Sequence, residues 1–108
     1  MKIKEVTGEH ILFDDGQVIT FIHELECSEC NYPAFEDLDK DAFDFEFKRD
    51  LDFEAVDYAG FRFGNEGIRM FFIPCYSEQN GYYTANIDIL LNGQRVMLDL
   101  VCEERLGY

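Results

Sequence analysis

Apolar and polar residues alternate with a period of two along most of this chain, the pattern of strands that bury one face. IKEV opens the chain as a short strand. HILF (10–13) and VITFIHE (18–24) flank Asp14-Asp15-Gly16-Gln17, which reads as a hairpin turn. In the second arm Val18, Thr20 and Ile22 share one face, and Ile19, Phe21 and His23 share the other. Both faces predict at least partial burial. SECNYPAFEDLDKDAF predicts the one helix, about two turns long, with Pro33 at its first position and Glu36 and Asp37 in its first turn. FDFEFKRDLDF returns to strand alternation, with Phe43, Phe45 and Phe47 on one face and Asp44 and Glu46 on the other. GFRFGN, GIRMFFIPCY, YYTANIDILL and RVMLDLVCEE then read as four successive strands. Asn65-Glu66-Gly67 predicts a tight turn, Ser77 to Gly81 a longer loop, and Asn92-Gly93 the strongest short hairpin signal in the chain. Val96, Leu98, Leu100 and Cys102 fall on one face of the last strand. The expected architecture is α+β and β-rich: a mostly antiparallel sheet of about six to eight strands with one short helix.

Size and composition narrow the class. With 108 residues, a single domain over 1–108 is expected, with one modest core. Eleven Phe and six Tyr supply bulky packing and set the chain apart from disordered acidic tails, which are poor in aromatics. No apolar run approaches the roughly 18 residues that span a bilayer. The opening MKIKEVTGEH lacks the apolar stretch of a secretion signal. The expected location is the cytosol of a bacterial host, where thiols stay reduced and disulfides are disfavoured. Cys27, Cys30, Cys75 and Cys102 are then buried thiols, redox thiols or metal ligands.

HELECSEC (23–30) carries the most specific chemistry. Two thiolates separated by two residues can bite one tetrahedral ion, and zinc prefers sulfur and imidazole ligands. His23, Cys27 and Cys30 supply three ligands within eight residues. The fourth is expected from Cys75, placed by Pro74 and the following loop at a strand end, with Cys102 the alternative. Cys102 alternates with Leu98 and Leu100 and reads more as a core thiol. A redox pair would want a helix starting at the first cysteine in a βαβ setting. Glu26 and Glu29 would also raise the thiol pKa rather than lower it. Unligated thiols remain the plain alternative to a structural zinc that staples this loop to the sheet.

The charge is lopsided: 23 acidic residues against nine basic ones give a formal net charge of −14. Phosphate repels such a chain, so direct nucleic-acid binding and anionic membrane surfaces are disfavoured. A basic protein partner is favoured, because complementary fields steer encounter. From Glu36 to Asp57, ten carboxylates interleave with aromatic and aliphatic residues against three bases, Lys40, Lys48 and Arg49. On a strand, side chains two apart stand roughly 6.6–7 Å from each other. A row such as Asp44, Glu46, Asp50 and Asp52 would then imitate a phosphate track and make the protein a DNA mimic. The plain alternative is a solvated acidic face that guards a sheet edge.

There is no nucleophile motif, no glycine-rich phosphate loop and no H-E-x-x-H, so nothing points to an enzyme. FIHELECSEC and YSEQNGYYTANIDI together resemble the paired signatures of a family of small phage and bacterial proteins of uncharacterised function. One signature is H-E, an acidic residue and cysteines; the other is an NGYY turn before a strand. The family pattern has adjacent cysteines, whereas here Ser28 intervenes, which leaves Cys27 better supported than Cys30. In size and acidity the chain is also similar to phage-encoded anti-CRISPR proteins that inhibit Cas9. That resemblance implies a stoichiometric inhibitor, since Cas9 holds nucleic acids in positively charged channels. The expected contact residues are Asp37, Asp39, Asp41, Asp44, Glu46, Asp50 and Asp52. The alternative is a small metal-stapled interaction domain with no inhibitory role.

Overall fold

A computed structural model describes residues 1–22, 31–78 and 86–105. Within them lie ten short strands and two single-turn 3-10 helices. The strands are β1 (Ile3–Val6), β2 (Ile11–Phe13), β3 (Val18–Ile22), β4 (Asn31–Pro33), β5 (Asp52–Val56), β6 (Gly60–Asn65), β7 (Arg69–Glu78), β8 (Asn86–Leu91), β9 (Gln94–Val101) and β10 (Glu103–Arg105). They form two five-stranded sheets. One runs β1-β2-β3-β8-β9; the other runs β10-β7-β6-β5, with β4 also paired to β7. Every pairing is antiparallel except β10 with β7.

The expected hairpins form where the turn chemistry demands them. Gly16 closes β2–β3 with φ +93°, and Gly67 closes β6–β7 with φ +82°. Asn92 and Gly93 both take positive φ, the conformation a two-residue turn needs to match strand twist. Two glycines inside β6 have a different reason. Gly60 and Gly64 lie at φ +156° and +150°. A Cβ there would sit 2.0 Å from the Ile73 carbonyl oxygen and 2.3 Å from that of Arg69. β6 and β7 can approach as they do only without those side chains.

The last strand departs from simple alternation. Ile87 opposes Leu100 and Ile89 opposes Met97, so β9 carries one extra residue opposite Asp88. This bulge puts Asp99 at φ +53°, and its N–H donates to Asp88 Oδ1 at 2.9 Å. The extra residue reverses the facing as far as Met97, and a second irregularity leaves Val96 unpaired between the Ile89–Met97 and Leu90–Arg95 pairs. Leu100 and Cys102 are buried, whereas Val96 and Leu98 point outward, so the expected common face does not exist. Beyond Cys102 the chain leaves the first sheet and joins the second as β10.

Pro74 does not end a strand, as expected, but marks a change of partners along β7. Pairing with β6 stops at Pro74, and pairing with β4 begins at Cys75. A residue without an N–H fits that junction. Pro33 ends β4 instead of starting a helix, and the expected two-turn helix is replaced by the turns Phe35–Asp37 and Lys40–Phe43. Of the strand expected over FDFEFKRDLDF (43–53), only Asp52 and Phe53 are in a strand, at the start of β5. Residues 44–51 carry no ladder and are held by side-chain bonds, with β5 starting only at Asp52. Asn65 Oδ1 accepts the Lys48 N–H at 2.7 Å, and its Nδ2 faces the carbonyls of Lys48, Asp50 and Gly64. The Phe47 N–H donates to the Met1 carbonyl at 2.8 Å.

One core joins both sheets. Ile11, Phe13, Ile19, Ile87 and Ile89 come from the first sheet, and Phe61, Phe63, Phe71 and Ile73 from the second. The irregular segment contributes Phe35, Leu38, Ala42 and Phe47. The Phe47 ring stacks on Phe63 at 5.7 Å and meets Phe13 edge-on at 5.4 Å. Each fully buried Phe contributes roughly 1.5–3 kcal/mol, which explains how this segment stays placed without a ladder.

Candidate functional site

The cysteines fall into two groups. His23, Cys27 and Cys30 lie outside the described residues. Cys75 and Cys102 are fully buried and neighbour each other. The pairing explains why: Glu103 opposes Tyr76 in the parallel β10–β7 ladder, so the preceding residues meet one rung earlier. Contact with the Cys102 thiol, then burial, then the charge of Cys102 push the Cys75 thiol well above the ordinary range. Metal-free, it is a protonated core thiol, and its Sγ faces its own strand's Ile73 carbonyl at 3.8 Å. Cys75 therefore sits inside β7 and the core, not at the strand end expected from Pro74. The sequence offered Cys75 and Cys102 as alternatives, yet the fold brings both to one place. Alternation along the last strand could not reveal this, because the meeting depends on the sheet switch after Cys102. Among the described residues no group of three His, Cys, Asp or Glu side chains could hold a metal ion.

The chain directly after HELECSEC is strand. Asn31–Pro33 is β4, bonded to β7 through the backbone. That end of the segment is tied to the sheet by its own ladder.

The predicted contact carboxylates are mostly exposed but do not share one geometry. Asp37, Asp39, Asp41, Asp44, Glu46 and Asp50 are exposed, and Asp52 is half-buried. Asp44, Glu46 and Asp50 lie on irregular backbone, so strand rise does not fix their spacing and the regular phosphate track is lost. Several of the seven already have partners. Arg69 Nη2 lies 3.6 Å from Asp41 Oδ2 and 4.0 Å from Asp39 Oδ2, with its guanidinium 4.6 Å over the Phe71 ring. Glu46 pairs with the amino group of Met1. Asp52 Oδ2 accepts the Glu66 N–H at 2.8 Å. Arg69 was not singled out from the sequence, since it enters this surface from β7, far along the chain. Asp37, Asp44 and Asp50 form no ion pair among the described residues.

No protein-family model matches the chain, and no curated protein or solved structure matches it either. Among the described residues no helix is long and apolar enough to cross a membrane.

Proposed function

We propose that this protein is a stoichiometric, non-catalytic inhibitor of a basic nucleic-acid-handling protein, with a Cas9-type effector as the first partner to test. The observation that carries this reading is the segment 37–50. Six of the seven expected contact carboxylates are exposed on it, in a chain of net charge −14. A channel lined by Lys and Arg to hold nucleic acid offers the complementary field. The irregular backbone favours a broad acidic surface over a phosphate-by-phosphate copy of DNA. Phe35, Leu38, Ala42 and Phe47 anchor that surface to the core, so little ordering cost would fall on binding.

The second part of the proposal is a structural zinc held by His23, Cys27, Cys30 and Cys75. The donor set suits zinc, and the nearness of Cys102 to Cys75 makes Cys102 an equal candidate for the fourth position. Such an ion would add folding free energy to a small core. To serve as a ligand, Cys75 would have to lose the proton that contact with Cys102 and burial hold on it.

The test is guided DNA cleavage by Cas9 with rising amounts of this protein. Inhibition that saturates near one-to-one and disappears when Cas9 is pre-loaded with DNA supports competition for nucleic-acid entry. Converting Asp37, Asp44, Glu46 and Asp50 to Lys is expected to abolish it. No inhibition at any ratio removes the Cas9 assignment and leaves an acidic interaction domain without an inhibitory role.

A further inference from the structure

A recess of about 300 Å³ opens beside the β4–β7 ladder, lined by Gly8, Tyr32, Ala34, Glu36, Asp37 and Tyr76 among others. Tyr32 and Tyr76 are cross-strand partners, with ring centroids 6.0 Å apart and planes at 60°. The turn Phe35–Asp37 brings Glu36 and Asp37 to the same recess. Gly8 stands at the Glu36 carboxylate: a Cβ on it would lie 3.1 Å from Glu36 Oε1. With no side chain at position 8, that carboxylate stays uncovered toward the recess.

The chemistry of the lining selects one class of ligand. Two carboxylates exclude an anion. No Lys or Arg lines the recess, and neither Glu36 nor Asp37 forms an ion pair among the described residues. Some other carboxylates are neutralised: Asp39 and Asp41 share Arg69, Glu54 pairs with Arg62, and Asp88 with Arg95, whereas Asp44 and Asp50 are unpaired like these two but do not line the recess. Aromatic rings next to carboxylates suit an organic cation, attracted by ring faces and by charge together. A hard divalent ion would want more oxygen ligands than are grouped here. The volume lies at the low end for ligand pockets, which fits one side chain better than a whole metabolite.

We propose that the recess between Tyr32, Tyr76, Glu36 and Asp37 is a receptor for a single arginine side chain presented by the basic partner. The proposal rests on the reading that the partner is basic. It adds a discrete anchor point to what is otherwise a diffuse acidic surface. Hot spots of interfaces are commonly arginine or tyrosine seated in a pocket.

The test uses the full chain, isotopically labelled, titrated with acetyl-arginine-amide and followed by NMR. The neutral isostere acetyl-citrulline-amide and the compact cation acetyl-lysine-amide run in parallel. The arginine probe is expected to shift the Tyr32 and Tyr76 ring signals and the Glu36 and Asp37 amides saturably, in the millimolar range. Citrulline should leave them in place, and lysine should bind more weakly. Glu36→Gln with Asp37→Asn should weaken arginine binding about tenfold, the removal of two charge-assisted contacts. Gly8→Leu keeps every charge but fills the mouth, and should weaken it as much. An unsaturable response, an equal response to citrulline, or unchanged binding in the double variant overturns the proposal. Cas9 inhibition that persists in the double variant without loss of potency would refute the anchor while leaving the inhibitor reading intact. Arginine binding without any Cas9 inhibition would retain the recess and remove the partner.

Discussion

Replacing Asn65 with Ala should loosen the whole acidic segment, and the size of the effect follows from the side chain's bonds. Asn65 is buried in β6 and holds a stretch of backbone that has no ladder of its own. Its Oδ1 takes one strong bond from the Lys48 N–H at 2.7 Å. Its two amide hydrogens are divided among three carbonyls, of Lys48, Asp50 and Gly64, at 3.2–3.4 Å. That amounts to two or three bonds, each contributing about 0.5–1.5 kcal/mol net. A Lys48 N–H left without a partner adds to the loss. The expected destabilisation is about 2–3 kcal/mol, or a fall in Tm of about 8–12 °C for a domain of this size. Urea unfolding followed by circular dichroism measures the first, and a thermal scan the second. Asn65→Asp separates the two halves of the side chain. It keeps the acceptor for Lys48 but turns a carboxylate toward three carbonyls, and should be at least as damaging at neutral pH. A loss below about 0.5 kcal/mol in Asn65→Ala would refute the claim that this residue pins the segment.

Other perturbations test other parts of the structure. Gly64→Ala places a Cβ 2.3 Å from the Arg69 carbonyl oxygen at φ +150°. It should cost at least about 2 kcal/mol in denaturant unfolding; a neutral result would mean β6 and β7 do not approach this closely. Asp15 is held below the usual carboxylate range, first by the Gln17 side chain, then by the Gln17 N–H and Arg49. A lowered carboxylate stabilises the fold above its unfolded value of about 3.9, and that contribution is lost as pH falls through the folded value. The Tm gap between the wild type and Asp15→Asn should therefore be widest near neutral pH and narrow below about pH 4; a gap that widens on acidification contradicts the assignment. For the proposed zinc, metal analysis should give one ion per chain, and chelation should lower Tm. Cys75→Ser should reduce the zinc content; full occupancy in both Cys75→Ser and Cys102→Ser would remove the β7–β10 thiols from the ligand set.

The parts of the fold legible in the sequence are those set by local chemistry. Asn92-Gly93 and Gly16 demand positive φ, so their hairpins could be read directly. GFRFGN was legible to its ends because Phe61 and Phe63 alternate with Arg62 and the Asn65-Glu66-Gly67 turn closes it. Phe45 and Phe47 alternate just as cleanly, yet form no strand. Their aromatic contacts and the Asn65 side chain hold them, and both come from distant parts of the chain. The facing of Val96 and Leu98 was misleading for a related reason: the bulge at Asp99 is stabilised by Asp88 on the neighbouring strand. Of the candidate site, the exposure of the acidic residues was legible from charge alone. Their partnership with Arg69, and the meeting of Cys75 with Cys102, depend on strand order, which period-two patterns do not encode.

The proposed recognition of a basic effector is electrostatic. An equilibrium titration of the Cas9–guide complex with labelled protein at a series of salt concentrations puts it to the test. Saturation at one-to-one is expected, with an affinity that falls steeply as ionic strength rises, because the proposed contact carboxylates are exposed and therefore screened. Absence of binding at low salt, or an affinity indifferent to salt, would contradict it.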